Sequence, residues 1–222
     1  MTVGTKSLQA PLVDIDATLP VLDVSTLPAL SPASPTAAKA ARRLARRIER
    51  RRFARLEQHA AAIAHLAPLP RPGEIMHGAM DGRFSGWSLA TATIELLAEP
   101  IDELIVSTLG FNRQNCDSLL ELFDGGTIRS VLLNVSNYFR HSDREIFGQI
   151  RHELESRGQR VAITRSHAKL LLLKTATRCI VVETSANLRS SQNWEQFAIS
   201  DDAELYAFHK AWLKDLIRSS IA

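Results

Sequence analysis

Apolar and polar positions follow two alternating periods in the second half of the chain. Runs with the pattern of strands occur at Leu104–Leu109, Ile128–Val135 and Arg160–Thr164, and helical spacing occurs at Arg113–Phe123 and Ser142–Arg157. Strands that alternate with helices in this way build βαβ units, in which helices cover a central sheet. The pattern predicts an α/β fold with a central mixed sheet flanked by helices.

A hairpin is predicted next along the chain. The strand-like run Ser166–Leu173 is followed by the turn-like Lys174–Thr177 and by a second short strand at Arg178–Glu183. Such a hairpin returns the residues after its second strand to the end where its first strand began. Beyond it, Asp202–Ile217 carries large apolar residues at helical spacing, which is typical of a helix that faces the core.

The first 84 residues differ in composition from the rest. Residues 1–35 contain scattered prolines, serines and threonines without periodicity, which indicates a flexible arm. Good helix formers dominate residues 36–67 and predict one long helix. Prolines and glycines in residues 68–84 indicate a linker. The sequence therefore predicts a main globular domain at residues 85–222.

The predicted helix is strongly basic. Its planar guanidinium groups donate two hydrogen bonds at once to a phosphate group, so nucleic acid is the predicted partner of this helix. The arginines predicted to contact that partner are Arg42, Arg43, Arg46, Arg47, Arg50 and Arg51. A solvated basic helix that serves only dimerisation or solubility is one alternative, and a helix on an anionic membrane surface is another.

Composition places the chain in the ordinary globular class. Hydrophobic residues make up 45% and charged residues 23% of the chain, and the net charge is +3. Because no long apolar run and no secretory signal pattern occurs, the sequence predicts a cytoplasmic protein without a transmembrane segment. Cys116 and Cys179 are far apart in sequence and are predicted to be free thiols. Since no zinc cluster, P-loop or dinucleotide-binding glycine pattern occurs, neither a metal nor a cofactor is predicted.

His167 and Lys169 stand two residues apart in the first strand of the predicted hairpin. Alternate residues of a strand face the same side, so an imidazole and an ammonium group are predicted to share one surface. A neutral imidazole is a nucleophile, and a fixed cation beside it stabilises the charge that develops when a phosphodiester is attacked. The pair predicts phosphate chemistry.

The predicted hairpin brings further polar residues to the same end. Ser185 and Asn187 supply donors for phosphate oxygens, and Glu195 supplies an acceptor that suits the orientation of a histidine N–H. Asn193 is a further candidate for substrate binding. The alternatives are a partly buried structural histidine, a turn or helix cap at Ser185 and Asn187, and solvated loop residues at the other two positions.

Taken in order, these residues resemble the signature of the phospholipase D superfamily, which reads His-x-Lys, four residues, Asp, and then Gly-Ser-x-Asn and a later Glu. The resemblance covers roughly residues 85–215 and departs from the signature at two positions. Lys174 stands where the family has the aspartate, and Thr184 stands where the family has the glycine. Because Lys174 occupies a turn position, its side chain is predicted to face solvent.

The resemblance implies a mechanism and an assembly. In the family two such motifs meet across a pseudo-two-fold or a true two-fold axis, one histidine attacks phosphorus to form a phosphohistidine, and the other protonates the leaving alcohol without a metal. The catalytic residues that the resemblance implies are His167, Lys169, Asn187 and Glu195, with Ser185 bound to a phosphate oxygen. Only one His-x-Lys occurs in the 222 residues, so the second histidine is expected from a second copy in a homodimer.

The sequence thus predicts a metal-independent phosphodiesterase that acts on nucleic acid, with DNA favoured over RNA, in a phospholipase D-like domain at residues 85–222. The arginine-rich helix and the single motif favour nucleic acid over lipid. Two alternatives remain open. Lys174 and Thr184 suit a non-catalytic nucleic-acid-binding module on the same fold, and a phospholipid-cleaving enzyme is the other alternative.

Overall fold

The computed structural model describes residues 58–82, 84–189 and 193–221. The predicted arm at residues 1–35 and the predicted nucleic-acid-binding arginines between Arg42 and Arg51 lie outside the described residues. The end of the predicted basic helix is described: residues 58–66 are helical and form α1. Ala62 and Leu66 of α1 are fully buried in the main core.

One mixed sheet organises the described part of the chain. Its strands are β1 (Ile75–Met80), β2 (Glu103–Thr108), β3 (Val131–Ser136), β4 (Arg160–Thr164), β5 (Leu170–Lys174), β6 (Cys179–Thr184) and β7 (Glu195–Asp201). The helices after α1 are α2 (Gly86–Leu97), α3 (Arg113–Asp124), α4 (Asn137–Ser142), α5 (Arg144–Ser156) and α6 (Ala203–Ile221). The strand order is β1-β7-β6-β5-β2-β3-β4, with β2, β3 and β4 parallel and every other pair antiparallel. The predicted α/β fold with a central mixed sheet is confirmed.

β2 lies in the interior of the sheet, between β5 and β3, and its apolar side chains are buried on both faces. Leu104 and Val106 belong to the larger core cluster, which also contains buried residues of α2, α3 and α5. Ile105 points to the opposite face and belongs to the cluster that α6 covers. A strand that is buried on both faces needs a nearly continuous apolar sequence, which explains why this strand is evident from the sequence.

Side-chain caps and glycines set the helix ends. Ser85 accepts a hydrogen bond from the Ser88 backbone N–H at 3.2 Å and begins α2. Gly126 and Gly158 follow α3 and α5 with φ of 75° and 71°, which glycine adopts without a steric penalty. No helix of the described residues is long and apolar enough to cross a membrane.

The segment predicted to be a linker contains a strand. β1 pairs antiparallel with β7 along its whole length, so the expectation of an irregular segment at residues 68–84 is wrong for Ile75–Met80. Gly78 lies opposite Phe197, and the phenyl ring occupies the space that a side chain at position 78 would need. The glycine that suggests a turn in the sequence therefore serves close packing within a strand.

The helix predicted at Ser142–Arg157 is present as α5 at Arg144–Ser156, and the separate short helix α4 precedes it. Ser136, the last residue of β3, accepts a hydrogen bond from the Tyr138 backbone N–H at 3.3 Å and begins the short helix α4. Asp143 then leaves the helical region, with φ of −131° and ψ of 55°, before α5 begins. α4 lies at the end of the sheet where the parallel strands finish, because it starts where β3 ends.

The two cysteines are free, as predicted. Cys116 lies in the larger core cluster, where burial raises the pKa of its thiol to about 12. Burial also raises the pKa of the half-buried Cys179. Since the thiolate is the reactive form, neither cysteine has the environment of a nucleophile.

Glu103 gives stability a dependence on pH. Burial acts to raise the pKa of its carboxyl group, but hydrogen bonds from Lys210 and Tyr206 outweigh burial and the net pKa is lowered. The carboxylate therefore stabilises the fold above the unfolded pKa of about 4.3, and the contribution disappears as the pH falls through the folded pKa. We expect Glu103→Gln to lower the free energy of unfolding by about 1 to 2 kcal/mol at pH 7, and by less at pH 3.

Urea unfolding of the wild type and of Glu103→Gln at the two pH values measures this difference. Glu121→Gln, at an exposed position of α3, is the matched control and is expected to change stability little at either pH. A loss in Glu103→Gln that is equal at pH 7 and pH 3 would contradict a charge-dependent contribution.

Candidate active site

The candidate residues lie at the end of the sheet where its parallel strands finish, and this end is called the site edge of the sheet below. The parallel strands β2, β3 and β4 end at this edge, β5 begins there, β6 ends there and β7 begins there. In sheets with parallel strands this carboxyl end is the usual position of a ligand site. The predicted hairpin is present as β5 and β6, and it returns Ser185 to the end where His167 stands.

His167 and Lys169 precede β5 rather than belonging to it. Residues 165–169 form an irregular segment that enters the strand at Leu170, so the prediction that both residues lie within a strand is wrong. Lys169 turns its ammonium group back to donate to the carbonyl oxygen of His167 at 3.2 Å. His167 is exposed, and its imidazole makes no hydrogen bond or ion pair with any other described residue. Both functional groups therefore lie at the site edge.

A buried hydrogen-bond network holds this segment. Ser107 on β2 donates to the carbonyl oxygen of Ala168 at 3.1 Å and accepts from the side-chain amide of Asn134 on β3 at 3.0 Å. Asn134 in turn accepts from Thr164 on β4 at 3.0 Å, and Thr164 accepts from the backbone N–H of Ser166 at 3.3 Å. Ser107, Asn134 and Thr164 are 2%, 0% and 2% exposed. The network thus fixes the backbone on both sides of His167.

The turn after β6 joins the second group of candidates to the first. The Thr184 backbone N–H donates to the carbonyl oxygen of Lys169 at 3.2 Å, which continues the β5–β6 pairing to the site. The Thr184 hydroxyl donates to the carbonyl oxygen of Gln196 at 2.9 Å and accepts from the Ala186 backbone N–H at 3.0 Å. The threonine that replaces the glycine of the signature therefore stabilises the turn.

Ser185 and Glu195 are in direct contact. The Ser185 hydroxyl donates to the Glu195 carboxylate and accepts from the Gln196 backbone N–H at 3.0 Å. Within the described part of the chain, the carboxylate of Glu195 is bound by Ser185 and not by His167. The serine and the glutamate thus form one hydrogen-bonded pair.

The two asparagines occupy different positions. Asn187 is half-buried, and its side-chain oxygen is buried without a hydrogen-bond partner among the described residues. The backbone carbonyl oxygen of Asn187 lies so close to Gly86, at the start of α2, that a side chain at position 86 would clash with it. Asn193 is exposed in the segment before β7. Lys174 is exposed at the end of β5, which confirms the prediction that it faces solvent.

Sequence reasoning missed the buried network. Its signal is present in the strands themselves, because Ser107 and Asn134 are polar residues within otherwise apolar runs, Leu-Ile-Val-Ser-Thr and Val-Leu-Leu-Asn-Val. A buried polar residue requires a partner, so each of these positions predicts a hydrogen bond. The identity of the partners depends on the register of three strands, which the sequence pattern does not give.

Comparisons with known proteins were informative at the level of structure. No protein-family model matches the chain, and no curated protein matches it significantly. A polyphosphate kinase from Porphyromonas gingivalis superposes with a TM-score of 0.51 at 11% sequence identity, over 64% of this chain and 26% of that chain. The chain therefore shares the fold of the matched part of that kinase. The chain spans about a quarter of the length of that kinase.

Two further solved structures resemble the chain. NucT from Helicobacter pylori superposes with a TM-score of 0.49 at 13% identity, over 66% of this chain and 98% of that chain. A phosphatidylserine synthase from Haemophilus influenzae superposes with a TM-score of 0.43 at 16% identity, over 66% of this chain and 39% of that chain. Neither likeness exceeds a TM-score of 0.5, and both are below 25% identity.

Proposed function

We propose that the protein is a phosphodiesterase that cleaves nucleic acid in a site completed by two copies of the chain. The observation that supports this most directly is the meeting of two groups at the site edge of the sheet. The His167–Lys169 segment and the Ser185–Glu195 pair are joined there by the hydrogen bond from the Thr184 backbone N–H to the Lys169 carbonyl oxygen. A nucleophile, a cation and phosphate donors are the groups that this reaction needs.

The reaction proceeds in two balanced steps. In the first step a ring nitrogen of His167 forms a bond to phosphorus, the bond from phosphorus to the leaving oxygen breaks, and His167 of the second copy gives its proton to that oxygen. In the second step the second histidine takes a proton from water, the water oxygen bonds to phosphorus, and the phosphorus–nitrogen bond breaks. Both histidines return to their starting state, so one diester and one water yield a monoester and an alcohol.

The other site residues stabilise the phosphoryl group and fix the geometry. The Lys169 ammonium and the Asn187 amide bind the non-bridging oxygens, whose negative charge grows in the transition state. Glu195 holds Ser185 in place through their hydrogen bond, and this leaves the serine positioned beside the phosphate. Asn193, exposed near the start of β7, contacts the substrate strand at the rim.

Exposed groups favour nucleic acid as the substrate. Trp194 is adjacent to Glu195 and its side chain is 75% exposed. An exposed indole beside a phosphate site suits the stacking of a base. The arginine-rich segment between Arg42 and Arg51 supplies further charge for a phosphate backbone. Because Lys174 faces solvent, its positive charge stays away from His167, and the departure from the signature at this position leaves the proposed chemistry unaffected.

Mixing subunits tests whether two histidines share one site. Wild type at fixed concentration is exchanged with a three-fold excess of His167→Ala, and cleavage of a labelled oligonucleotide is followed. Only pairs of wild-type subunits hold two histidines, so activity is expected to fall to about one quarter, the fraction of wild-type subunits that still have a wild-type partner. Size-exclusion chromatography with light scattering reports the dimer in the same samples.

The matched control is His152→Ala, which removes an exposed imidazole on α5. This variant is expected to add its own activity to the mixture. Undiminished wild-type activity in the presence of exchanged His167→Ala would show that each copy acts alone and would overturn the shared site. A wild type that cleaves no single strand, duplex or RNA would overturn the catalytic proposal.

A further inference from the structure

The outer strand of the sheet borders a large open cavity. β4 is the last strand in the sheet order, so one side of its backbone has no neighbouring strand among the described residues. A cavity of about 760 Å³ extends along this strand, between α5 on one face of the sheet and the last turns of α6 on the other. Its volume lies in the range of a binding site rather than of a packing defect.

The lining of the cavity is positively charged. Arg140, Arg160 and Arg165 line it, and none of them forms an ion pair with a carboxylate of the described residues. The fourth arginine, Arg151, is paired at 2.8 Å with Glu155, the only carboxylate among the described lining residues. Three guanidinium groups therefore remain available to an anion, and each is suited to a phosphate group.

One end of the cavity lies near the candidate active site, because Arg165 lines it. Arg165 follows β4 and is two residues before His167, so their Cα atoms are at most about 7 Å apart. Arg160 begins β4 at the other end, about 16 Å from Arg165 at the rise of a strand. The arginines thus mark a path that starts beside the proposed nucleophile and follows the edge of the sheet away from it.

An exposed aromatic ring stands at the same end of the path. Tyr138 lies on α4 between the lining residues Asn137 and Arg140, and its side chain is 69% exposed. Phosphate-binding cations next to an exposed ring are the combination that holds single-stranded nucleic acid, because the backbone is neutralised while a base stacks.

We propose that this groove, lined along β4 by Arg140, Arg160 and Arg165 and bordered by α4 with the exposed Tyr138, binds the single strand that flanks the scissile phosphodiester. The inference rests on the proposed function for the identity of the polyanion. The length of the groove corresponds to about five nucleotides at the spacing of a B-form strand.

A second copy of the chain is a poor occupant of this edge. Antiparallel pairing of two β4 strands about a two-fold axis would bring Arg160 of one copy towards Arg165 of the other, and like charges opposite each other destabilise such a pair. An acidic peptide that adds a strand to the free edge is the remaining competitor. Its binding would use the same charges but would leave Tyr138 without a role.

Equilibrium binding tests the groove without catalysis. The full chain carrying His167→Ala is titrated against a fluorescein-labelled strand of 20 nucleotides, and anisotropy is recorded over a series of salt concentrations. Adding Arg140→Ala and Arg160→Ala is expected to raise Kd by about ten-fold and to lower the slope of log K against log salt by about 1.4, or about 0.7 for each phosphate that an arginine no longer neutralises. Arg129→Ala, at the opposite end of β3, removes an exposed charge outside the groove and is expected to leave both values unchanged.

The outcomes separate this inference from the proposed function. Cleavage by the wild type with an unchanged Kd and salt slope in the arginine double variant would overturn the groove and leave the function standing. If the wild type cleaves nothing but the arginine double variant binds the strand more weakly, the groove is supported as a nucleic-acid-binding surface and the proposed catalytic function is overturned. Displacement of the strand by an acidic peptide of equal charge as effectively as by unlabelled DNA would overturn nucleic acid as the occupant. Unchanged binding with increased aggregation would overturn the groove and assign the arginines to protection of the edge strand.

Discussion

Replacing His167 with alanine is expected to lower kcat on an oligonucleotide by a factor on the order of 10⁴ or more. The imidazole is exposed at the site edge of the sheet and is not engaged by any other described side chain, so its removal deletes the proposed nucleophile and disturbs no packing. Because the arginines and Trp194 remain, Kd for the strand is expected to change by no more than about two-fold.

Two measurements accompany this prediction. Single-turnover cleavage of a labelled oligonucleotide gives the chemical rate, and an alkaline quench followed by a denaturing gel detects phosphate bound to the protein. The bound label is expected in the wild type and in His152→Ala, and not in His167→Ala. Cleavage by His167→Ala at the wild-type rate would exclude this residue as the nucleophile, and tight binding without cleavage in the wild type would identify a binding module.

Replacing Asn134 with alanine is the second large effect that we expect. Asn134 is fully buried and bridges Ser107 and Thr164, so the change opens a cavity and leaves two buried hydroxyl groups with one partner fewer. The free energy of unfolding is expected to fall by about 2 to 4 kcal/mol. Since the network anchors the backbone on both sides of His167, kcat of the folded variant is also expected to fall by about ten-fold or more, with a smaller change in KM.

Matched variants distinguish positioning from stability. Thr93 is fully buried in α2 and donates to the Leu89 carbonyl oxygen at 2.7 Å, away from the network. Thr93→Val is expected to lose stability while the kcat of the folded protein is retained. Thr164→Ser keeps the hydroxyl that bonds Asn134 and is expected to restore the kcat that Thr164→Val loses. Equal kcat values for the two Thr164 variants would show that the network has only a structural role.

The elements with strong patterns are also those that the sequence predicts well. β2 is buried on both faces and β4 has the predicted bounds, whereas β1 escapes prediction because Gly78 resembles a turn residue and is in fact packed under Phe197. α4 escapes prediction because the cap that begins it, Ser136, lies at the end of an apolar strand.

The sequence likewise predicts some features of the candidate site and not others. The order of His167, Lys169, Ser185 and Asn187 predicts phosphate chemistry because residue type and spacing alone carry that signal. The contact between Ser185 and Glu195 depends on a turn whose geometry is set by the hydroxyl of Thr184. Such a contact joins residues that the register of β6 and β7 brings together, and sequence spacing does not encode that register.

Thr184 has a consequence for how related chains are recognised. Among the described residues other than glycine, only Ala98 has a positive φ, so position 184 has a backbone conformation that any branched residue adopts. The hydroxyl group of Thr184 restrains this turn through two hydrogen bonds. A search pattern that insists on glycine before the serine would discard this chain, whereas one that accepts a small hydroxylated residue there would retrieve it and any sister sequences built in the same way.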